Sequence, residues 1–154
     1  MEIKEILPNC IGLIYSISIS PERGQLKKEV FEANFIENHG IENDGHAGDW
    51  GRQITCLNWA SVQKANSSYN LNIGPGDFAE NILISGLDLS GLIIGSKIIL
   101  NIDVTLEVTQ IGKENHPSIV SRTFGISLLP TEGLFCKVIK GGKIKKGDSV
   151  KIII

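Results

Sequence analysis

Short runs of apolar and β-branched residues, separated by Gly, Asn, Asp and Pro, make up most of the chain. Residues 104–109 alternate strictly between apolar and polar side chains, which predicts a strand with one buried and one solvated face. Residues 97–102 precede this strand closely enough to form a hairpin with it. Ile11–Ile19, which is rich in β-branched residues, and residues 30–36 are further predicted strands.

The remaining elements lie in the middle and at the end of the sequence. Residues 58–65 begin with an asparagine that can cap a helix and continue with apolar side chains on roughly one face, so they predict the main helix. Residues 78–84 alternate like a strand. Residues 134–139 and 150–154 are predicted to pair with each other, because a glycine pair between them favours a turn.

Several strands, glycines at the turns and little helix favour a mainly β fold, a closed or nearly closed β-barrel with short helical excursions. A doubly wound α/β sheet would need long amphipathic helices between its strands, and the pattern does not contain them. The predicted barrel core contains Ile54, Phe78, Ile82, Leu106, Val108, Val138 and Val150.

Composition describes an ordinary globular chain of 154 residues, which we expect to form one domain over residues 1–154. The formal charge is −2 and no basic cluster exceeds a lysine pair, which argues against nucleic acid as a partner. The first residues are too polar for a signal peptide, and no segment approaches the roughly 20 apolar residues of a membrane span. Three separated cysteines are expected to be reduced thiols, as in cytoplasmic proteins.

The stretch NDGHAGDWGRQIT at residues 43–55 departs from the strand pattern. It combines acids, a histidine and an arginine with three glycines, which suits a loop that brings backbone and side chains close to a ligand. Without further information, the main interpretation of His46 is a structural role in the loop, and the alternative is that His46 and Asp44 together bind a metal. Arg52 and Glu80 can likewise form an ion pair at one end of a barrel.

Four stretches of the chain, in order, resemble the motifs of one family. They are GIENDGHAG followed by RQ at residues 40–53, GDFAEN at residues 76–81, VTQIGKE at residues 108–114 and GLFCKV at residues 133–138. Together they resemble MOSC domains, named after the C-terminal domain of molybdenum cofactor sulfurase, from about Ile11 onward. The resemblance implies a β-barrel like that of the pyruvate kinase barrel domain, in agreement with the strand pattern.

The resemblance also implies binding of the molybdenum cofactor (molybdopterin), a pterin that carries a dithiolene and a phosphate. Arg52 suits the phosphate through its bidentate guanidinium, Glu80 with Asn81 suits the polar edge of the pterin, and His46 suits an oxo ligand or a proton shuttle. Metal ligands remain unassigned. The cofactor-binding residues that the resemblance implies are Asp44, His46, Gly48, Arg52, Gln53, Glu80, Asn81 and Lys113.

Partners follow from the same resemblance. Family members that use pyridoxal phosphate carry a second domain for it, so this cofactor is not expected on the present chain. The expected partner is a cysteine desulfurase, or a protein that makes or accepts the molybdenum cofactor. Neither nucleic acid nor a membrane is expected.

One position departs from the family's pattern. Short bacterial members usually carry a cysteine after Gly-Lys-Glu, whereas GKENHPSI at residues 112–119 places Asn115 there. The implied catalytic residues are then His46, Asn115 and His116, but an amide cannot carry sulfane sulfur and is a poor ligand for a soft metal site. Two hypotheses stay open. One is a cofactor-binding protein in cofactor or sulfur handling, with sulfur-transfer or reductase activity weakened by the missing thiol. The other is a catalytically silent interaction module that retains the scaffold.

The other cysteines are not expected to replace the missing thiol. Cys56 and Cys136 alternate with apolar residues inside strands and are predicted to be small core residues, and Cys10 is predicted to be exposed before the first strand. The site itself is predicted where residues 44–52, the Glu80-Asn81 pair and residues 113–116 converge, because each interrupts an apolar pattern with polar side chains.

Overall fold

The structure, a computed structural model, describes residues 11–154 and contains eleven strands and three helices over that range. The helices are α1 (Trp59–Tyr69), α2 (Ile119–Phe124) and α3 (Leu129–Glu132). The strands are β1 (Ile11–Ile19), β2 (Lys28–Val30), β3 (Glu32–Ile36), β4 (Gly40–Ile41), β5 (Ile54–Asn58), β6 (Ile82–Ser85), β7 (Lys97–Leu100), β8 (Val104–Ile111), β9 (Leu134–Lys140), β10 (Gly142–Lys145) and β11 (Ser149–Ile153). The fold is mainly β, as the sequence pattern predicts.

Seven strands close into a barrel in the order β11, β7, β8, β9, β5, β6 and β1. β1 pairs with both β6 and β11, so the first and last described strands complete the ring. β5 and β6 run parallel to each other, which makes the barrel mixed. β2 pairs with β1 outside the ring, and β10, β3 and β4 form a separate small sheet. The predicted β-barrel with short helices is confirmed.

The barrel interior is filled by apolar side chains, including six of the seven predicted core residues. Phe78 is also fully buried, but it belongs to a second cluster outside the ring, together with Val62 of α1 and Phe135. The strand predicted from residue 78 begins only at Ile82, because the preceding residues turn. The predicted core members inside the ring are Ile54, Ile82, Leu106, Val108, Val138 and Val150.

The predicted helix starts where expected and runs further. The side chain of Asn58 caps α1 by accepting a hydrogen bond from the backbone N–H of Ala60 at 3.0 Å. The helix ends at Tyr69 because Asn70 adopts the left-handed conformation and its N–H donates to the carbonyl of Asn66. No helix within residues 11–154 combines the length and the apolar character that crossing a bilayer requires.

The hairpin of β7 and β8 is confirmed, but the predicted pairing of residues 134–139 with residues 150–154 is wrong. β9 lies between β8 and β5, whereas β11 lies between β7 and β1. The reason is the close approach of two backbones at Gly141, where a Cβ would lie 2.3 Å from the carbonyl oxygen of Phe35. β10 therefore leaves the ring and pairs with β3.

The single strand predicted over residues 30–36 is also wrong, because it is two strands. The chain breaks at Phe31, whose side chain is exposed. β2 before the break pairs with β1, and β3 after it pairs with β10. The segment is divided at Phe31 because its two parts pair with different strands.

Candidate functional site

A cavity of about 340 Å³ opens where the loop before β5, the segment after β8 and α2 come together. Its volume lies near the lower end of the range for small-molecule sites, roughly 300–1,000 Å³. The side chains around it are both cationic and apolar. Residues lining the cavity include His46, Trp50, Arg52, Thr55, Ala79, Lys113, Ser118, Ile119, Arg122, Leu129 and Phe135.

Three cations line this cavity, and no aspartate or glutamate of residues 11–154 does. Arg52 lies two residues before β5, Lys113 follows β8, and Arg122 lies in the last turn of α2. Burial, and after it the charge of Arg52, lower the pKa of Lys113 below its usual range. The charge of Arg52 thus disfavours the charged form of Lys113, and a bound anion would relieve that repulsion.

Arg52 is held so that part of its guanidinium is left for a ligand. Its Nε donates a hydrogen bond to Oε1 of Gln110 at 3.2 Å, and Cζ lies 5.1 Å from the centre of the Phe135 ring. The geometry is that of a cation–π contact. An arginine fixed at Nε and along its plane can present its two terminal nitrogens to an oxyanion as a fork.

His46 reaches the cavity from a loop that is anchored by Asp44 and Lys27. Both of these side chains are completely buried, and Lys27 Nζ lies 2.7 Å from Asp44 Oδ1. Asp44 also accepts hydrogen bonds from the backbone N–H groups of Ser20 and His46, at 3.1 and 3.2 Å. Asp44, predicted to bind the cofactor, is thus committed to holding the loop.

Glu80 and Asn81 lie behind the cavity wall and do not line it. The carboxylate of Glu80 accepts hydrogen bonds from the N–H groups of Gly76 and Phe78, and its burial raises its pKa to about 7. Asn81 accepts from the N–H of Thr55 and donates to the carbonyl of Ser18. Glu80 thus holds the turn that contains Ala79, and Asn81 joins β5 to β1.

Gln53 and Gly48 are also placed away from the lining. The buried amide of Gln53 donates to Asn38 Oδ1 and accepts from the N–H of Val138, so it joins a loop to β9. The N–H of Gly48 donates to the carbonyl of His39 at 2.7 Å. The structure gives both residues positions that support the loop before β5.

Of residues 113–116, which were predicted to contribute to the site, Lys113 alone lines the cavity. Asn115 and His116 are exposed, and His116 Nε2 lies 2.8 Å from Oε2 of Glu114. Of the predicted catalytic residues, the structure therefore places only His46 at the cavity. His46, Arg52 and Lys113 are the predicted site residues that it brings together.

No thiol lines the cavity within residues 11–154. Cys56 and Cys136 are fully buried in the barrel core, as predicted. A hydrogen bond with Cys56, together with burial, raises the pKa of the Cys136 thiol well above its usual range, which disfavours the nucleophilic thiolate. The prediction for Cys10 lies outside the described residues. Within the described part of the chain, no three His, Cys, Asp or Glu side chains cluster as metal ligands would.

Sequence reasoning missed two of the cations that define this region. Lys27 is followed directly by Lys28 in the sequence, and nothing in that pair indicates that Lys27 is buried against Asp44. Arg122 lies on α2, whose six residues show no long apolar period. The signal that could have found α2 is the Ser118 N-cap, which with Ser121 forms a capping box.

A second cavity, of about 350 Å³, has the opposite charge. It is lined by Asp88 and Glu132 together with the hydroxyls of Ser61, Ser90 and Thr131. Glu132 accepts a hydrogen bond from Ser61, and Asp88 accepts from Ser90. None of the predicted site residues lies there, so the cationic cavity is the candidate site.

Comparisons with known proteins agree with the fold. The family model described as MOSC domain matches residues 43–151. A solved structure of YuaD from Bacillus subtilis is similar, with 20% identity, coverage of 92% of this chain and 95% of that one, and a TM-score of 0.73. YiiM from Geobacillus stearothermophilus follows with 18% identity, coverage of 93% and 75%, and a TM-score of 0.72. YiiM from Escherichia coli has 17% identity, coverage of 93% and 70%, and a TM-score of 0.68. No curated protein sequence matches the chain.

Proposed function

Because the chain belongs to the MOSC domain family, we propose that its cationic cavity binds the molybdenum cofactor, or the pterin precursor of that cofactor, through the phosphate group. The observation that carries the proposal is the charge of the lining. Arg52, Lys113 and Arg122 all line one cavity, and no carboxylate of the described part of the chain lines it. An arrangement that collects cations without counter-charges favours an anionic ligand.

The lining also fits the rest of a phosphorylated pterin. Trp50 and Phe135 offer aromatic surface to a flat ring, and Arg52, held by Gln110, offers a fork to the phosphate. No cysteine of residues 11–154 reaches the cavity, so this part of the chain offers the metal no thiolate. When bound, the cofactor would supply redox or sulfur chemistry at its molybdenum, and the chain's own residues would bind and orient it.

The test is removal of the phosphate fork. Arg52→Ala should weaken cofactor binding by about 1.5–3 kcal/mol, the range for hydrogen bonds to charged groups, which is roughly 10- to 150-fold. The protein is purified from a cofactor-producing host, and bound molybdenum and released pterin are measured. Lys64→Ala, which removes an exposed cation from α1, is the control and should leave both contents unchanged.

Two results would overturn this proposal. Wild-type protein that carries neither molybdenum nor pterin would show that the cavity does not serve this ligand. Equal cofactor content in wild type and Arg52→Ala would show that the ligand lies elsewhere.

A second candidate function, an interaction module without chemistry of its own, is favoured by the cysteines. Both described thiols are buried in the barrel, and Asn115 lies exposed outside the cavity. A protein of this kind would be purified without molybdenum or pterin. The measurement described above therefore distinguishes the two functions.

A further inference from the structure

The buried ammonium of Lys27 has three hydrogen-bonding partners. They are Asp44 Oδ1 at 2.7 Å, Ser20 Oγ at 3.0 Å and His46 Nδ1 at 3.2 Å. A lysine ammonium has three N–H donors and no acceptor. All three donors are thus used, and His46 Nδ1 must be the acceptor in its contact.

The position of the His46 ring is fixed from other sides as well. Its backbone N–H donates to Asp44 Oδ2 at 3.2 Å, and its carbonyl accepts from Trp50 Nε1 at 2.7 Å. The imidazole lies nearly parallel to the Trp50 ring, with their centres 6.2 Å apart and their planes 7° apart. The ring therefore keeps Nδ1 towards Lys27 while it lines the cavity.

We infer that Lys27 holds His46 as the imidazole tautomer protonated on Nε2, so that His46 offers the cavity a hydrogen-bond donor and no acceptor. A neutral imidazole that accepts at Nδ1 carries its proton on Nε2. Within residues 11–154 no side chain or backbone group is hydrogen-bonded to Nε2, so this N–H is left for a ligand. Lys27 acts on the ligand through His46 and is a positioning residue.

The charges around the ring keep it neutral. They are Lys27, Asp44, Arg23 and Lys113, of which three are cations. Burial, and next the charge of Lys27, lower the pKa of His46 to about 4. With Nδ1 occupied and Nε2 protonated, the ring has no lone pair to take a proton from a ligand. Of the roles that the resemblance implies for His46, the inference therefore favours hydrogen bonding to a ligand over shuttling a proton.

This arrangement specifies the class of group that the cavity accepts. Arg52, Lys113, Arg122 and His46 all present donors. A group that has only lone pairs, such as an oxyanion, can pair with each of them, whereas an amine would find no acceptor among the four. This selectivity for a group with lone pairs adds to the proposed function. The identity of that group as the phosphate of the cofactor rests on the proposed function.

The tautomer is measured on the intact protein without ligand, by ¹⁵N NMR of the imidazole nitrogens near neutral pH. His46→Asn identifies the signals by their disappearance. We expect a pyridine-type shift for Nδ1 and a pyrrole-type shift for Nε2. A protonated Nδ1, or a ring protonated on both nitrogens, would overturn the inference.

Two variants then test the role of Lys27. Lys27→Met removes the donor and should give a mixed tautomer, whereas Lys27→Arg retains a donor and should preserve the wild-type pattern. Lys64→Ala should change nothing. A folded Lys27→Met variant with the wild-type tautomer would overturn the role of Lys27. Should that variant not fold, the wild-type spectrum still decides the tautomer.

Titration with inorganic phosphate separates this inference from the proposed function. If both hold, phosphate shifts the Nε2 signal and leaves the tautomer unchanged. If the tautomer is as inferred but molybdenum and pterin are absent from purified protein, only the identity of the ligand is wrong. A phosphate complex in which Nε2 loses its proton would contradict the donor role.

Discussion

Replacing one residue of the buried ion pair Lys27–Asp44 should destabilise the fold far more than replacing one residue of an exposed ion pair. Both side chains are completely buried, and their charged atoms are 2.7 Å apart. Removing one partner of such a pair leaves an uncompensated buried charge, which typically costs about 3–5 kcal/mol. Lys27→Met and Asp44→Asn should each reduce the free energy of unfolding by that amount.

The double variant Lys27→Met with Asp44→Asn should cost little more than either single one, because no unpaired charge is left. The coupling energy from the double-mutant cycle is then about 3–5 kcal/mol, at or above the upper end for residues in contact. Urea unfolding near neutral pH, followed by circular dichroism, measures all four proteins. Folded proteins have about 5–15 kcal/mol of stability, so a wild type in the upper part of that range leaves both single variants folded without denaturant.

The control is the exposed pair of Lys143 and Glu32, whose charged atoms are 3.1 Å apart. Lys143→Met and Glu32→Gln should each change stability by less than about 1 kcal/mol, as is usual for surface ion pairs. If the effects of Lys27→Met and Asp44→Asn add to within about 0.5 kcal/mol, the two charges are not coupled. The buried pair would then not be what anchors the loop.

Two further predictions concern protons and sulfur. The pKa of His46 is lowered from 6.5 to about 4. The stability that neutral His46 contributes is therefore complete above about pH 6.5 and is lost as the pH falls towards 4. This contribution is at most about 3 kcal/mol. In urea titrations at several pH values, His46→Asn should not lose stability in this way at low pH. Glu80, whose pKa is raised to about 7, has the opposite pH dependence and contributes equally in both proteins. Identical pH profiles for wild type and His46→Asn would contradict the lowered pKa of His46. Incubated with a cysteine desulfurase and labelled cysteine, the wild-type protein should not retain stoichiometric sulfane sulfur, whereas Asn115→Cys should gain the capacity for it. Loading of the wild type that Cys56→Ser or Cys136→Ser abolishes would show a reactive thiol in the core.

The barrel could be predicted from the sequence because its strands carry a local signal. The alternation in β8 and its short turn to β7 were sufficient to predict that hairpin. The partners of β9 and β11 were not predictable in this way, since a glycine pair indicates a turn without indicating which strand follows it. After β9 the chain pairs as β10 with β3, more than a hundred residues away, and the close approach of Gly141 to Phe35 belongs to that contact.

The candidate site was predictable in part for a similar reason. Arg52, His46 and Lys113 lie within motifs dense in polar residues, and the cavity brings them together. The sequence does not distinguish a polar residue that faces a ligand from one that supports the loop behind it, as Glu80 does. Lys27 was missed because a buried lysine has the same local sequence as an exposed one.

Closure of the ring through β1 and β11 has a consequence for synthesis of the chain. Ile11 faces Lys151 in that pairing, so the two strands that must meet lie far apart in the sequence, and β11 is made long after β1. Until β11 leaves the ribosome, β1 and β7 each have an edge without its final neighbour. Unpaired strand edges favour association between chains. Nascent chains stalled before Ser149 should therefore depend on a chaperone to remain separate, whereas chains that include β11 should not.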